Sequence, residues 1–301
     1  MDPKQQNSTF LDLPQELTNF ERAQVVVLPI PYEASTTYGQ GTKDGPQAIL
    51  KASAQVEFYD EELDSEPCRI GIATAPSIEN LNFEPEKSVA QISEACESLL
   101  EQNKFVVGLG GEHTISVGLV RAFKKLYPEM WVLQLDAHSD LRDIYHDSPL
   151  NHACTMARIG ELCAFVGMGI RSGIAGERDR LPSASKLFYA HEMRRNCDWR
   201  EQVVQSLGDP VYITVDLDFF DPSAMPSVGT PEPGGFQWYE TLDFLKTIAR
   251  ARKIVGFDVV ELSPKPGFVA PDFFAAKLVY KLIGLIFADK YKNLNEKSLD
   301  S

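Results

Sequence analysis

Four short stretches of this 301-residue chain carry side chains whose types and spacing suit chemistry. The densest is Asp136-Ala137-His138-Ser139-Asp140, directly after the apolar run 130–135. Such a run reads as a buried strand, on which residues i, i+2 and i+4 share one face. If extended backbone carries through its end, Asp136, His138 and Asp140 converge. Oxygen and nitrogen donors aimed at one point, at the carboxyl edge of a parallel sheet, suit a metal ion. Asp216-Leu217-Asp218 follows the apolar run 211–215 and repeats the i, i+2 placement. His113 sits in Gly108-Leu109-Gly110-Gly111-Glu112-His113-Thr114. No Gly-Lys-Ser/Thr follows those glycines, so a P-loop is not expected; they let the backbone turn so that His113 faces the sheet edge. Glu261 closes the apolar run 255–260, where a carboxylate serves either an ion pair or a substrate contact.

His113, Asp136, His138, Asp140, Asp216 and Asp218 make four carboxylates and two imidazoles. One divalent ion does not need so many, and carboxylates crowded at one edge repel without cations. Two hard-to-borderline ions bridged by carboxylates answer both points. Four-coordinate zinc more often takes cysteine or more histidine, so two Mn²⁺ are expected, with Ni²⁺ or Zn²⁺ as alternatives. Cys154 lies two residues from His152, but no third group to orient a Cys–His pair is apparent.

The elements that must position these residues alternate along the chain. Apolar runs predict strands over 23–29, 70–73, 105–109, 130–136, 164–170, 211–217 and 254–261. Helical spacing predicts helices over 47–58, 84–102, 114–127, 151–162, 190–207, 239–252 and 271–288. Continuous apolar strands alternating with helices imply a mostly parallel central sheet covered on both faces, a three-layer α/β/α fold. The Gly- and Thr-rich loop 31–46 is long enough to be functional. No composition break divides residues 23–301, which read as one domain behind a polar arm, 1–22.

A net charge of −14 opposes nucleic-acid binding and favours a small cationic substrate. Five cysteines without a C-x-x-C pair fit a reducing cytoplasm. No apolar signal core opens the chain, and the most apolar stretch, 278–287, is interrupted by Lys281 and too short to span a bilayer, so no membrane partner is expected.

Gly-Gly-Glu-His, Asp-Ala-His-x-Asp and Asp-Leu-Asp, followed by Asp221-Pro222 and Gly229-Thr230-Pro231-Glu232-Pro233-Gly234-Gly235, resemble the ureohydrolase family of arginases and agmatinases. The resemblance implies an arginase-like fold and a binuclear manganese site. It implies that His113, Asp136, Asp140 and Asp216 hold one ion, that Asp136, His138, Asp216 and Asp218 hold the other, and that Asp136 and Asp216 bridge. It implies that His152 shuttles a proton and that Glu261 binds the guanidinium. The pattern around His152 and the Thr-Pro-Glu-Pro-Gly-Gly run look most like bacterial agmatinases, so hydrolysis of agmatine to putrescine and urea is expected first. Aminopropylagmatine, guanidinobutyrate, arginine and free guanidine are alternatives, as is a non-enzymatic binding role. Arg142 stands where arginases carry Asn, which weighs against arginine and admits an acidic tail. Asp143 or Asp147 is a candidate holder of a distal ammonium. A homotrimer or homohexamer is expected by resemblance alone.

Overall fold

Eight parallel strands form one sheet in the computed structural model, which describes residues 9–81 and 84–288. They are β1 Val25–Ile30, β2 Ile72–Thr74, β3 Phe105–Gly110, β4 Trp131–Leu135, β5 Phe165–Ile170, β6 Lys186–Tyr189, β7 Val211–Asp216 and β8 Ile254–Val260. Their spatial order is β2-β1-β3-β8-β7-β4-β5-β6. The helices are α1 Gln15–Thr18, α2 Gly45–Ser53, α3 Pro85–Glu101, α4 Ile115–Leu126, α5 Thr155–Gly160, α6 Ala190–Met193, α7 Trp199–Ser206, α8 Trp238–Ala251 and α9 Ala270–Ile286.

Alternation along the strands makes the layers. Val25 and Val27 join Val107, Leu133, Ile213 and Phe257 in one buried cluster, closed by Ile49, Val203, Leu245 and Val279 from α2, α7, α8 and α9. Val26 and Leu28 point the other way and join Val106, Val132 and Tyr212 under Ile92, Leu119 and Met156 from α3, α4 and α5. Both faces of the sheet are therefore covered, the expected three-layer arrangement. No helix among the described residues is long and apolar enough to cross a membrane.

The seven expected strands all form, within two residues at each end. The eighth, β6, was not anticipated: Lys186-Leu187-Phe188-Tyr189 is short and lies at the sheet edge, where its residues are only partly covered. The helix expected over 190–207 is two helices, because Asn196 Oδ1 accepts Asp198 N–H at 2.9 Å and turns the chain between them. The helix expected over 47–58 stops at Ser53, whose hydroxyl donates to Leu50 O at 2.7 Å and accepts Leu11 N–H at 2.8 Å. Part of the expected arm is thus bound to the body, with Phe10 and Leu11 buried; residues 1–8 of it lie outside the described residues. In the helix expected over 271–288, Lys281 is buried and ion-paired to Asp60 and Glu62 at 2.9 Å each.

The order of the sheet decides where chemistry can occur. β3, β8, β7 and β4 are adjacent, although the chain reaches β4 directly after β3. At such a break in strand order the following loops diverge and leave a crevice at the carboxyl edge. His113, Glu261, Asp216 and Asp136 end or follow these four strands.

Candidate active site

The convergence expected of Asp136, His138 and Asp140 is present, but its cause differs. β4 ends at Leu135; the chain bends at Ala137, and His138 then pairs in parallel with Ser172. Asp136 Oδ1 accepts His138 N–H at 2.6 Å, and Asp136 Oδ2 accepts from Gln134 Nε2 at 2.8 Å. Asp140 takes φ +51°, a left-handed conformation that aspartate tolerates better than most residues. Asp218 likewise reaches the site from a short 3₁₀ turn, Leu217–Phe219, capped by Asp216 Oδ1 on Asp218 N–H at 2.8 Å. Asp218 Oδ1 then ties the two segments together by accepting Ala137 N–H at 3.0 Å. Gly111 is required at its position, because a Cβ there would lie 2.0 Å from Tyr32 O.

Two groups of side chains come close enough to share an ion: His113, Asp136 and Asp140, and Asp136, His138 and Asp218. Asp136 belongs to both. His113 Nδ1 faces Asp140, Asp136 and Asp216 carboxylate oxygens at 3.0, 3.2 and 3.5 Å. His138 Nδ1 faces Asp218 Oδ2 at 2.8 Å and Asp136 Oδ1 at 3.7 Å. Burial, with Asp218 and Asp140 beside it, raises Asp136 to about 7. Burial together with Asp218 and Asp136 raises Asp216 well above the carboxylate range. Burial works against a charged His113, yet Asp136, Asp140 and Asp216 draw it well above the ordinary histidine value. Carboxylates at this depth need positive charge among them.

The donor set fits divalent cations, and the hydrogen bonds behind His113 show how. Thr214 Oγ1 donates to Asp258 Oδ1 at 2.7 Å, which uses its only proton. At 2.9 Å from His113 Nε2 it must therefore accept, which places the ring proton on Nε2. Without cations Nδ1 carries a second proton toward the three carboxylates; in the neutral ring that a cation among them would favour, Nδ1 is a buried lone pair aimed at the same oxygens. A carboxylate-backed histidine with its free nitrogen among anionic oxygens is a metal-ligand arrangement.

Glu261 and His152 line the same cleft, about 280 Å³ in volume. Glu261 follows β8 in a left-handed conformation, φ +68°, and its Oε1 accepts His113 N–H at 2.6 Å. A glutamate at positive φ is strained by about 1–3 kcal/mol. Burial, then Glu112, raises its pKa well above the usual range, so a bound cation would be welcome there. Arg142 lines the cleft wall and lies over the Tyr145 ring, 4.9 Å from its centre. Asp143 is turned away: 75% exposed, it pairs with Arg158 at 2.6 Å. Asp147 is exposed at the tip of the Tyr145–Ser148 turn, with φ +60°, and is not among the residues lining the cleft. Neither is brought to the site. Burial pushes the Cys154 thiol up to about 11, so it holds its proton at neutral pH and is no nucleophile.

The family model of the arginase family matches residues 23–284. The chain belongs to the arginase family. It is 42% identical over 279 residues to an N(1)-aminopropylagmatine ureohydrolase of Synechocystis sp., covering 90% of this chain and 91% of that protein. It is 32% identical over 277 residues to an agmatinase of Pyrococcus horikoshii, covering 91% and 96%. Its fold matches the crystal structure of the agmatine ureohydrolase of Thermoplasma volcanium with a TM-score of 0.82 at 28% identity, covering 93% and 94%.

Within this arginase-family cleft stand residues that sequence reasoning passed over. Glu232 lines it, with Oε1 3.8 Å from His138 Nε2. Its backbone is fixed by Arg171, whose guanidinium donates to Glu232 O at 2.9 Å, Asp218 O at 2.6 Å and Pro233 O at 3.1 Å. Glu33 shapes the opposite wall: its Oε2 accepts Gly41 N–H at 2.6 Å and Thr42 N–H at 2.5 Å, closing the loop that presents Thr36, Thr37 and Tyr38. That loop meets the 229–235 loop at Gly39, where a Cβ would lie 2.8 Å from Gly229 Cα. The only sequence signal for Glu232 was its place in the Thr-Pro-Glu-Pro-Gly-Gly run; Arg171 and Glu33 had none.

Proposed function

We propose that this chain hydrolyses the guanidino end of a polyamine-type substrate, releasing urea and an amine. The observation that carries this is the buried Nδ1 of His113 facing three carboxylates, in one cleft with Glu261 and His152. N(1)-aminopropylagmatine is the first substrate and agmatine the second. The similarity favours that order, at 42% identity to a protein of the first name and 32% to one of the second. Two walls of the cleft support a cationic tail: Glu232 adds a carboxylate, and the cleft adjoins, at Thr36 and Thr37, a further hollow of about 380 Å³.

His113, Asp136, Asp140 and Asp216 would hold one ion, and Asp136, His138, Asp216 and Asp218 the other, with Mn²⁺ preferred and Ni²⁺ the alternative. Two ions held there would supply hydroxide at neutral pH. The chain's own residues do the rest. Glu261 Oε1 is committed to His113 N–H, so Oε2 receives guanidinium N–H groups and sets the plane of the substrate. His152 delivers a proton to the departing amine nitrogen. Burial lowers its pKa, so the resting ring is neutral: it first takes the proton of the hydroxyl newly bonded to the guanidinium carbon, then gives that proton to the amine nitrogen as its bond to carbon breaks.

Urea release from N(1)-aminopropylagmatine, agmatine, guanidinobutyrate, arginine and guanidine, with Mn²⁺ or Ni²⁺ added, tests the assignment. The first substrate should have the highest kcat/KM. Faster turnover of guanidinobutyrate would show that Arg142 and not Glu232 governs the tail. We further propose a cytoplasmic homotrimer or homohexamer. In sedimentation the mass should be three or six times the 33.6 kDa of one chain.

A further inference from the structure

The nitrogen of His152 that works on the substrate is decided by a serine and a glutamate far from it in sequence. Glu112 is fully buried beside the metal centre. Its Oε2 accepts Ala34 N–H and Ser35 N–H, both at 2.7 Å, and its Oε1 accepts the hydroxyls of Ser35 at 2.6 Å and Thr114 at 2.7 Å. A carboxylate in that role only accepts, so the single proton of the Ser35 hydroxyl is spent on it. Ser35 Oγ has two lone pairs left. His152 backbone N–H takes one at 3.1 Å, and His152 Nδ1 stands at the other, 3.2 Å away. Nδ1 must therefore be the protonated nitrogen, leaving Nε2 as the lone pair of a ring that lines the cleft. The backbone bond from His152 to the same oxygen fixes the ring's distance as well as its tautomer. Tyr145 adds a lateral wall, its ring edge-on to the imidazole at 6.0 Å.

We propose that Ser35 and Glu112 are positioning residues, which hold His152 as its Nδ1–H tautomer so that Nε2 is the atom that exchanges the proton with the leaving amine. This rests on the ureohydrolase function proposed above for its catalytic consequence, but the tautomer itself can be read without turnover. Glu112→Gln gives the sharpest contrast. The two backbone N–H groups still need an oxygen, so the amide NH₂ must fall where Oε1 lay, facing Ser35 Oγ. The hydroxyl then accepts from the amide and turns its own proton toward His152 Nδ1. The ring is driven to the opposite tautomer, with its proton on Nε2.

The test is ¹⁵N spectroscopy of histidine-labelled, full-length protein with Zn²⁺ added as a diamagnetic ion, alongside steady-state kinetics. Only five histidines are present, and the His152 signals are identified by their loss in His152→Asn. Wild type should show protonated Nδ1 and bare Nε2 at His152, and Glu112→Gln the reverse. Both Ser35→Ala and Glu112→Gln should lower kcat about 10²-fold or more with KM within about 3-fold, because general acid–base help is lost while binding is kept. Ser35→Thr, which restores the hydroxyl, should recover kcat to within about 3-fold. If Glu112→Gln fails to fold, the serine pair alone decides. An Nε2–H tautomer in wild type overturns the proposal, as does Ser35→Ala with unchanged tautomer and kcat. Absence of urea release from every guanidino compound, with the wild-type tautomer as expected, would instead remove the proposed function and leave the positioning intact.

Discussion

Replacing Glu261 by glutamine tests the proposal that its charge holds the substrate's head. Glu261 is 8% exposed, and one of its oxygens already accepts His113 N–H at 2.6 Å. That bond constrains the amide, because its single oxygen must stay on His113 N–H. The NH₂ group then occupies the position of Oε2, on the side facing Gly229 and the cleft. A guanidinium has only donors to offer, so a charge-assisted contact becomes donor facing donor. Loss of such a contact in a closed site costs about 2–4 kcal/mol, roughly thirty- to a thousandfold in kcat/KM. The fold should not suffer, since the backbone bond survives and a raised, buried carboxylate is removed. Glu261→Gln should therefore keep its metal content and its Tm within about 2 °C while losing most of kcat/KM in urea-release assays. Near-normal turnover with a lowered Tm would show that Glu261 serves the fold and not the substrate.

Asp136→Ala should lose both ions and Asp218→Ala only one, because Asp136, like Asp216, would serve both ions and Asp218 a single one; elemental analysis of dialysed protein reads this directly. Thr214→Val leaves His113 Nε2–H and Asp258 without their shared partner and should weaken metal binding about 10- to 100-fold in a titration. Lys281→Ala strands the buried Asp60 carboxylate and should cost about 3–5 kcal/mol in denaturant unfolding. Burial works against the Lys281 charge, but Glu62 and Asp60 hold its folded pKa above 10.5, so wild type should keep this contribution below that pH and lose it as pH rises through the folded value.

The layers and the ligand types were legible in the sequence because both are local. A run such as Val211-Tyr212-Ile213-Thr214-Val215 declares a buried strand, and an aspartate at its end declares a sheet edge. What escaped is what depends on contacts between distant segments. Convergence of Asp136, His138 and Asp140 by strand spacing assumes extended backbone throughout, yet a bend at Ala137 and a left-handed Asp140 bring them together. Two-residue spacing is compatible with both, so the pattern was right and the geometry behind it was not. Ser35 meets Glu112 across 77 positions and His152 across 117, and no spacing rule links them. Asp143 and Asp147 were attractive for their charge alone; folding gave Asp143 to Arg158 and left Asp147 on a turn, while Glu232 came to the cleft by way of a loop pinned by Arg171.

The most direct measurement is urea formed from N(1)-aminopropylagmatine and from agmatine by chelator-dialysed protein, before and after Mn²⁺ is restored. The arrangement of His113, Asp136, His138, Asp140, Asp216 and Asp218 predicts no urea before and urea equal to substrate consumed after, at two ions per chain. Undiminished hydrolysis by metal-free protein, or two bound ions with no urea from either compound, would contradict it.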